Sequence, residues 1–292
     1  MILASEPAQK PRPLRPTQSM ILTGDSTQIL PRLPDGFFQC CVTSPPYWGL
    51  RDYGNESQIG AEEEPDDYVA RLAEVFEEVR RVLRDDGTLW LNIGDSYTSG
   101  NRAYRAPDRK NPVRAMAYRA KTPRGLKPKD LVGVPWRVAF ALQAAGWYLR
   151  SDIIWEKPNC MPESVKDRPT RSHEYIFLFS KSVRYKYLSN NVLELNGRNR
   201  RTVWSIPTEP FTGAHFATFP PPLVEPCILA GTTPGEWVLD PFFGSGTVGV
   251  VCEQQARNYV GIELNQEYAE LAADRILNTQ RLLFTHDREA TR

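Results

Sequence analysis

Apolar residues along this chain form two alternating patterns, short continuous runs and stretches in which they recur every three or four positions. The continuous runs predict buried strands at residues 37–43, 88–93, 147–155, 174–179, 237–239 and 259–262. The periodic stretches predict helices at residues 67–83 and 134–145, a helix that ends at 255, and a last helix from 266. Because the two types alternate, we expect an α/β fold whose sheet is covered by helices on both faces.

The N-terminal segment and the composition of the chain predict its domain organisation. Residues 1–19 contain four prolines among polar and basic neighbours and no apolar core of a secretory signal, so they predict a disordered arm before a single domain at 20–292. No apolar run approaches the roughly 20 residues of a membrane span. The five cysteines form no CxxC pair and no cluster with the three histidines, which predicts no metal site, no disulfides and a cytoplasmic protein.

Charge is distributed unevenly, although the net charge is only +1. Residues 98–130 contain ten Lys or Arg against two Asp, and a second basic stretch lies within residues 183–214. These two segments predict contact with a polyanion. Ordinary solvated loops are the alternative interpretation.

A glycine-rich turn at residues 240–247 stands between a predicted strand and a predicted helix. Gly244 and Gly246 allow a tight turn and a close approach to a ligand, and Glu263 ends the next strand, where it can accept both ribose hydroxyls. This layout also serves NAD enzymes, and a connector without a ligand is a further alternative. Asp240 would repel a pyrophosphate but suits the cationic amino-acid end of S-adenosylmethionine.

The tetrapeptide Ser44-Pro45-Pro46-Tyr47 follows the strand predicted at 37–43. An amino group on a base is a poor nucleophile, and two acceptors aimed at its hydrogens favour attack on a methyl group. The Ser44 hydroxyl and the Pro45 carbonyl, held by a fixed proline φ, are those acceptors. Tyr47 offers a ring on which a base can stack once it has left the duplex. Out of context, the motif could equally be a surface turn.

Together these segments resemble the β-class amino-methyltransferases of bacterial restriction-modification systems. The resemblance covers about residues 21–283 and includes TSPPYWG at 43–49, DPFFGSGT at 240–247, and the stretches 152–159, 171–181 and 215–220. As in that family, the catalytic motif precedes the cofactor motif. The resemblance implies a Rossmann-like methyltransferase sheet of permuted order, S-adenosylmethionine as cofactor, double-stranded DNA as partner, and a possible homodimer.

The resemblance also assigns residues to two roles. It implies a catalytic set of Ser44, Pro45, Pro46 and Tyr47. It implies a cofactor-binding set of Asp25, Phe219, Asp240, Phe242, Gly244, Gly246, Thr247 and Glu263. In the family, the position of Asp25 lies near the adenine of the cofactor, and the segment that contains Phe219 lies beside its methionine end.

The resemblance leaves the target base and the recognition segment open. Serine at the first motif position is usual in members that methylate cytosine N4, so we expect a cytosine target, with adenine N6 as the alternative. The family's recognition region usually lies between the motifs that contain His173 and His215. That interval is short here, so recognition can be shared with residues 98–130.

Several other interpretations are less favoured. Pro226-Cys227 resembles the nucleophile of enzymes that methylate cytosine carbon-5, but no Glu-Asn-Val accompanies it, so we expect Cys227 to be a core residue. His173 is expected to be scaffold, and Trp48 and Trp155 to be packing residues. A glutamine methyltransferase and a DNA-binding regulator without catalysis are the rival functions.

Overall fold

The computed structural model describes residues 14–50, 58–98, 121–160, 162–209 and 219–290, with side chains up to residue 282. Eight strands and six α-helices make up the described part. In chain order they are β1 Met20–Thr23, α1 Ser26–Ile29, β2 Phe38–Thr43, α2 Pro65–Val82, β3 Leu83–Ile93, α3 Val134–Ala144, β4 Tyr148–Glu156, β5 His173–Ser180, β6 Val203–Ser205, α4 Pro221–Gly231, β7 Trp237–Asp240, α5 Thr247–Gln254, β8 Asn258–Glu263 and α6 Gln266–Ala290.

The eight strands form one mixed sheet in the order β1-β8-β7-β2-β3-β5-β4-β6. Strand β5 is antiparallel to both of its neighbours, and every other pairing is parallel. The carboxyl ends of the seven other strands therefore lie at one edge together with the amino end of β5, and we call this the C-terminal edge. Ligands of open α/β sheets bind at such an edge.

Two hydrophobic cores cover the two faces of the sheet, and the predicted α/β architecture is confirmed. Helices α1, α2 and α3 pack on one face, and α4, α5 and α6 pack on the other. Consecutive residues of a strand serve opposite faces, so Cys41 belongs to the first core and Cys40 to the second. Within the described ranges, no helix combines the length and the apolar character that crossing a membrane requires.

Helix α2 shows how the sequence pattern produces a covered face. Pro65 occupies the first turn, where its missing N–H is not needed, and Asp66 and Asp67 lie where the helix dipole favours negative charge. Its buried residues recur every three or four positions; they are Tyr68, Val69, Leu72, Val75, Phe76, Val79 and Val82. This stripe packs on the sheet, as the periodicity predicts.

Strand β3 begins earlier than the strand predicted at 88–93. Strand β3 begins at Leu83, directly after α2. Phe38 pairs with Leu83 whereas Cys40 pairs with Thr88, so β3 has more residues than β2 over this interval. Residues 84–87 lie in this irregularity, and the regular pairing of β3 with both of its neighbours begins at Thr88.

The sequence pattern did not reveal β1, α1, β6 and α4. The first three have only three or four residues, which is too short for a periodic signal. Helix α4 begins with Pro221, contains Pro226 in its interior and is apolar on nearly all sides, so it shows no amphipathic stripe.

The described part of the predicted N-terminal arm contacts the domain. The backbone N–H of Leu14 donates to the Arg32 carbonyl at 2.8 Å, and the Ser19 hydroxyl accepts from the backbone N–H of Tyr259 at 3.2 Å. Residues 14–19 are thus attached to the sheet and to the segment after α1, whereas residues 1–13 lie outside the described residues.

Gly261 in β8 provides a test of the packing between the sheet and the second hydrophobic core. A Cβ at this position would lie 2.3 Å from the ring of Phe243, which is itself buried. We expect Gly261→Ala to lower the free energy of unfolding by about 1–3 kcal/mol, measured by urea denaturation. In the Phe243→Leu background, the same substitution should cost less. Equal costs in both backgrounds would contradict the proposed clash.

Candidate active site

The serine-proline turn and the glycine-rich turn meet at the C-terminal edge of the sheet. The first follows β2 and the second follows β7, and these strands are neighbours in which Cys41 pairs with Leu239. The Thr43 hydroxyl donates to Asp240 Oδ1 at 2.6 Å, across 197 positions of sequence. Two motifs that are distant along the chain are therefore joined directly.

Asp240 has one carboxylate oxygen that is satisfied and one that is not. Oδ1 accepts from Thr43 and from the backbone N–H of Phe242, the latter at 3.0 Å. Oδ2 is buried and has no hydrogen-bond partner among the described residues. Burial raises the pKa of Asp240 to about 7, because the charged form is desolvated. A cationic donor bound at Oδ2 would supply the missing partner.

The backbone of the glycine-rich turn requires glycine at two positions. Gly244 has a φ of +52° and Gly246 a φ of +77°, which side chains other than glycine rarely adopt. A Cβ on Gly246 would also lie 2.8 Å from that of Ala272 in α6. The turn is therefore shaped both by its own conformation and by the closely packed C-terminal helix.

Arg275 of α6 attaches the same turn to the second core. Its guanidinium donates to the hydroxyl of Ser245 at 3.1 Å and to that of Thr247 at 2.9 Å. The Thr247 hydroxyl therefore points toward α6, and the backbone of Thr247 begins α5. Burial lowers the pKa of Arg275 from its usual value. The sequence pattern contains no sign of this contact, because Arg275 looks like any polar residue of a long amphipathic helix.

The two acidic residues predicted near the adenosine end lie on the adjacent strand ends. The Glu263 carboxylate accepts from the backbone N–H of Gly244 at 2.7 Å and from that of Asn265 at 2.9 Å. Burial raises the pKa of Glu263. The Glu263 carbonyl accepts from Gly24, and the neighbouring Asp25 caps α1 through the N–H of Thr27. These contacts hold the strand ends of β1 and β8 together.

Two phenylalanines flank the junction between the motifs. Phe242 packs edge-on against Phe76, with ring centroids 6.5 Å apart, on the first face of the sheet. Phe219 lies on the other face, and together with Thr43 and Asn92 it is among the residues that line a small, largely apolar cavity. Thr43 connects the two places, because its side chain lines this cavity and is also bonded to Asp240.

The Ser44–Tyr47 turn is fixed by neighbours on both sides. Pro45 is buried, and the Pro46 carbonyl accepts from the Tyr68 hydroxyl at 2.8 Å. The ring of Tyr47 lies against Gly94, where a Cβ would be 2.7 Å from a ring carbon. Ser44 and Tyr47 are each half-buried.

The Tyr47 hydroxyl belongs to a polar network that the sequence did not predict. It donates to Glu174 Oε2 at 2.7 Å, and it accepts from Asn92 Nδ2 at 3.0 Å. Ser44 Oγ lies 3.5 Å from the same hydroxyl. Burial and the Glu174 charge hold the pKa of Tyr47 well above its usual value, so the phenol stays neutral.

Lys157 completes this network through an ion pair with Glu174, and its ammonium lies 4.2 Å from the Trp155 ring centroid.

The sequence contained a signal for Asn92, because it is a polar residue near the end of a predicted strand whose carboxyl end lies at the C-terminal edge. For Glu174, the direction of β5 was needed, because an antiparallel strand contributes its first residues to this edge rather than its last.

The residues interpreted as packing or scaffold lie as expected. Trp48, Trp155 and Cys227 are all buried. Burial raises the pKa of Cys227 well above its usual value, which makes the thiol a poor nucleophile. His173 begins β5 and contacts the ring of Tyr175.

The described ends of the first basic segment lie at the C-terminal edge. The segment follows β3, and Tyr97 forms a bridge with Leu131, while the backbone N–H of Thr98 donates to the Asp130 carbonyl at 2.9 Å. Residues 99–120, which carry most of its charge, lie outside the described residues. The segment thus leaves and rejoins the domain beside the candidate site.

The second basic segment begins at the opposite edge of the sheet. It follows the carboxyl end of β5, and Lys186 pairs with Glu236, just before β7, at 2.6 Å. Arg200 lies over the ring of Trp204, and Arg201 pairs with Glu194 at 3.1 Å. Several of its charges are therefore engaged within the domain, and residues 210–214 lie outside the described residues.

Comparison with known families and proteins identifies the chain. A family model described as DNA methylase, for enzymes of the N6 and N4 type, matches residues 38–274. This chain belongs to the N6/N4 DNA methylase family. The methylase is 62% identical over 278 residues to the type II methyltransferase M.Cfr9I of Citrobacter freundii, covering 94% of this chain and 93% of that protein. It is 62% identical over 263 residues to M.SmaI of Serratia marcescens, covering 88% and 90%.

Solved structures share the fold of the methylase. The PvuII DNA methyltransferase, described as cytosine-N4-specific, matches with a TM-score of 0.69 and 22% identity over 92% of this chain and 94% of that one. The putative DNA modification methylase TTHA0409 of Thermus thermophilus, complexed with S-adenosyl-L-methionine, matches with a TM-score of 0.66 and 24% identity over 89% and 94%. The predicted Rossmann-like methyltransferase fold and S-adenosylmethionine as cofactor are confirmed.

The buried Asp240 carboxyl predicts a pH-dependent cost in stability. Its pKa is about 7 in the folded chain, against about 3.9 when unfolded, so folding disfavours the charged form as the pH rises from 4 to 7. We expect Asp240→Asn to be more stable than the wild type by on the order of 1–4 kcal/mol at pH 8, measured by urea denaturation. The difference should vanish near pH 4, and a difference that is independent of pH would contradict this origin.

Proposed function

We propose that this methylase transfers the methyl group of S-adenosylmethionine to the N4 amino group of cytosine in double-stranded DNA. The observation that carries the proposal is the direct hydrogen bond between Thr43 and Asp240, which joins the serine-proline turn to the glycine-rich turn. Serine at position 44 favours cytosine, because serine is usual at this position in family members that methylate cytosine N4.

The acidic residues of the strand ends fit the cofactor. We propose that Asp240 Oδ2, buried and without a partner among the described residues, binds the cofactor ammonium, and that Glu263 binds the ribose hydroxyls. Bound S-adenosylmethionine supplies an electrophilic methyl group on a sulfonium. The Asp240 carboxylate orients one end of that molecule by a charge-assisted hydrogen bond, which is stronger than a neutral one.

The other predicted cofactor residues surround these two. We propose that Asp25 contacts the adenosine end, and that Phe219 and Phe242 enclose the methionine and adenosine parts from the two faces of the sheet. The conformations of Gly244 and Gly246 and the start of α5 at Thr247 allow the backbone to approach the ligand closely.

The serine-proline turn provides the acceptors for the target base. We propose that the base leaves the duplex, and that the Ser44 hydroxyl and the Pro45 carbonyl accept its two amino hydrogens. The Pro46 carbonyl is already bonded to Tyr68, and Pro46 thereby holds the turn in place. The Tyr47 ring, anchored through its hydroxyl, is a fixed surface on which the base can stack. The amino nitrogen then displaces the sulfonium directly, and the enzyme accelerates this reaction mainly by holding the two groups in the right positions.

DNA contact is proposed for both basic segments, and the structure supports the first more directly. The described ends of the segment 98–130 both lie beside the candidate site, whereas the segment 183–214 starts at the opposite edge and reaches the C-terminal edge only at the end of β6. A homodimer is a further proposal from the family resemblance. All five cysteines are free, which supports our proposal that the enzyme acts in the reducing cytoplasm.

The second candidate function is adenine N6 methylation by the same residues. The two acceptors of the turn can bind the amino group of either base, so their geometry alone favours neither. The family of the chain includes both activities, which keeps adenine as the alternative target.

The product identifies the target base. We expect DNA from cells that express the protein to contain N4-methylcytosine after digestion to nucleosides and mass analysis, and sequencing of the modified sites should give its context. Ser44→Ala should lower kcat about 100-fold, because one acceptor present in the transition state is lost. N6-methyladenine as the sole product would refute the cytosine assignment, and normal turnover of Ser44→Ala would refute the site.

Cofactor affinity should depend on the ionisation of Asp240. The carboxylate binds a cation only when it is ionised, and its pKa in the free protein is about 7. We expect the affinity to be highest where both Asp240 and the ligand ammonium are ionised, and to fall up to about tenfold per pH unit below pH 7, measured by calorimetry. S-adenosylhomocysteine, which keeps the ammonium but lacks the sulfonium, should show the same dependence. In Asp240→Asn, binding should be weaker and insensitive to pH in this range.

A further inference from the structure

We propose that Glu174 is a positioning residue that sets the direction of the hydrogen bonds at the Ser44–Tyr47 turn, so that Ser44 meets the target amino group as an acceptor. The proposal rests on the function proposed above and adds a residue to it. Glu174 does not touch the substrate in this scheme, and it acts through Tyr47.

The Glu174 carboxylate is a point at which three donors converge. Oε2 accepts from the Tyr47 hydroxyl at 2.7 Å and from Asn92 Nδ2 at 2.9 Å, and Oε1 pairs with the Lys157 ammonium. The side chains of Glu174 and Lys157 are only 15% and 18% exposed, so these bonds face little competition from water.

The chemistry of the partners determines the direction of each bond. An ionised carboxylate has no hydrogen to donate, so the single hydrogen of the Tyr47 hydroxyl must point toward Glu174. For the same reason Asn92 must turn its amide nitrogen, rather than its oxygen, toward the carboxylate. Lys157 compensates the negative charge.

These directions leave the Tyr47 oxygen as an acceptor. The amide of Asn92 donates to it at 3.0 Å, and a hydrogen bond between Ser44 and Tyr47, whose oxygens lie 3.5 Å apart, must then run from the Ser44 hydroxyl to the Tyr47 oxygen. The lone pairs of Ser44 then remain available on its other side. An amino group with two hydrogens requires such an acceptor.

Without the Glu174 carboxylate, the hydrogen bond between Ser44 and Tyr47 can reverse its direction. If Tyr47 donated to Ser44 instead, it would occupy one Ser44 lone pair and leave the Ser44 hydrogen free to point toward the incoming amino group, where two donors would face each other. The strand itself does not need Glu174 for its pairing, because β5 is bonded along its length to β3 and β4. A purely structural role is therefore a weaker explanation of three bonds to one side chain.

Glu174→Gln tests the direction directly, because the amide keeps the shape but offers Tyr47 both a donor and an acceptor. With the DNA site found by sequencing as substrate, we expect kcat to fall about 10- to 100-fold. The KM for DNA and the Kd for S-adenosylmethionine should change by less than about threefold, since neither binding step uses this bond. The matched control is Glu74→Gln, an exposed glutamate of α2, which should retain wild-type kcat.

The Tyr47→Phe variant distinguishes a positioning role of Glu174 from a purely structural one. This variant keeps the ring but removes the hydroxyl through which Glu174 acts, so kcat should fall by a similar factor. Adding Glu174→Gln to Tyr47→Phe should then lower kcat no further, because both substitutions break one chain. Losses that multiply in the double variant would overturn the proposal, as would a kcat of Glu174→Gln within about twofold of the wild type.

Two further measurements distinguish a failure of this proposal from a folding defect and from an error in the target base. Thermal unfolding of each variant is measured, and if Glu174→Gln does not fold, Glu174→Asp takes its place, with partial loss of kcat expected and an unchanged kcat counting against the proposal. If the wild-type product is N6-methyladenine, the cytosine assignment fails while the dependence on Glu174 is still read from the same variants.

Discussion

The hydrogen bond from Thr43 to Asp240 is the contact on which the arrangement of this enzyme depends. It is possible because β2 and β7 are adjacent in the sheet although they are far apart in the chain. Parallel strands bring their carboxyl ends to one edge, so the turn after each strand faces the same space. The permuted order of the motifs therefore has no effect on the geometry of the site: what matters is which strands are neighbours.

Buried acids at this edge combine a cost in stability with a use in binding. Asp240 and Glu263 both have pKa values raised by burial, and Asp240 retains an oxygen without a partner in the described part of the chain. A desolvated carboxylate of this kind destabilises the folded protein until a cationic ligand arrives. This cost in stability lies where the cofactor is proposed to bind, and the packing of the two hydrophobic cores offsets it.

The two halves of the site are held in different ways. On the cofactor side, glycine conformations and the Arg275 contacts shape a backbone turn against α6. On the substrate side, the tyrosine of the turn is held by side chains from three other strand ends, through Asn92, Lys157 and Glu174. The first arrangement leaves backbone groups open to a ligand, and the second gives individual hydroxyl and amide groups a defined direction.

The sequence by itself determined the fold class, most strands and helices, and the two motifs, because apolar periodicity and glycine and proline positions are local properties. It did not reveal Glu174, Asn92 and Arg275 as site residues, and it began a strand at residue 88, whereas β3 begins at Leu83. Only the tertiary structure decided these points. Strand order and strand direction depend on contacts between distant segments: the antiparallel β5 brings Glu174 to the C-terminal edge, and the packing of α6 brings Arg275 to the glycine-rich turn.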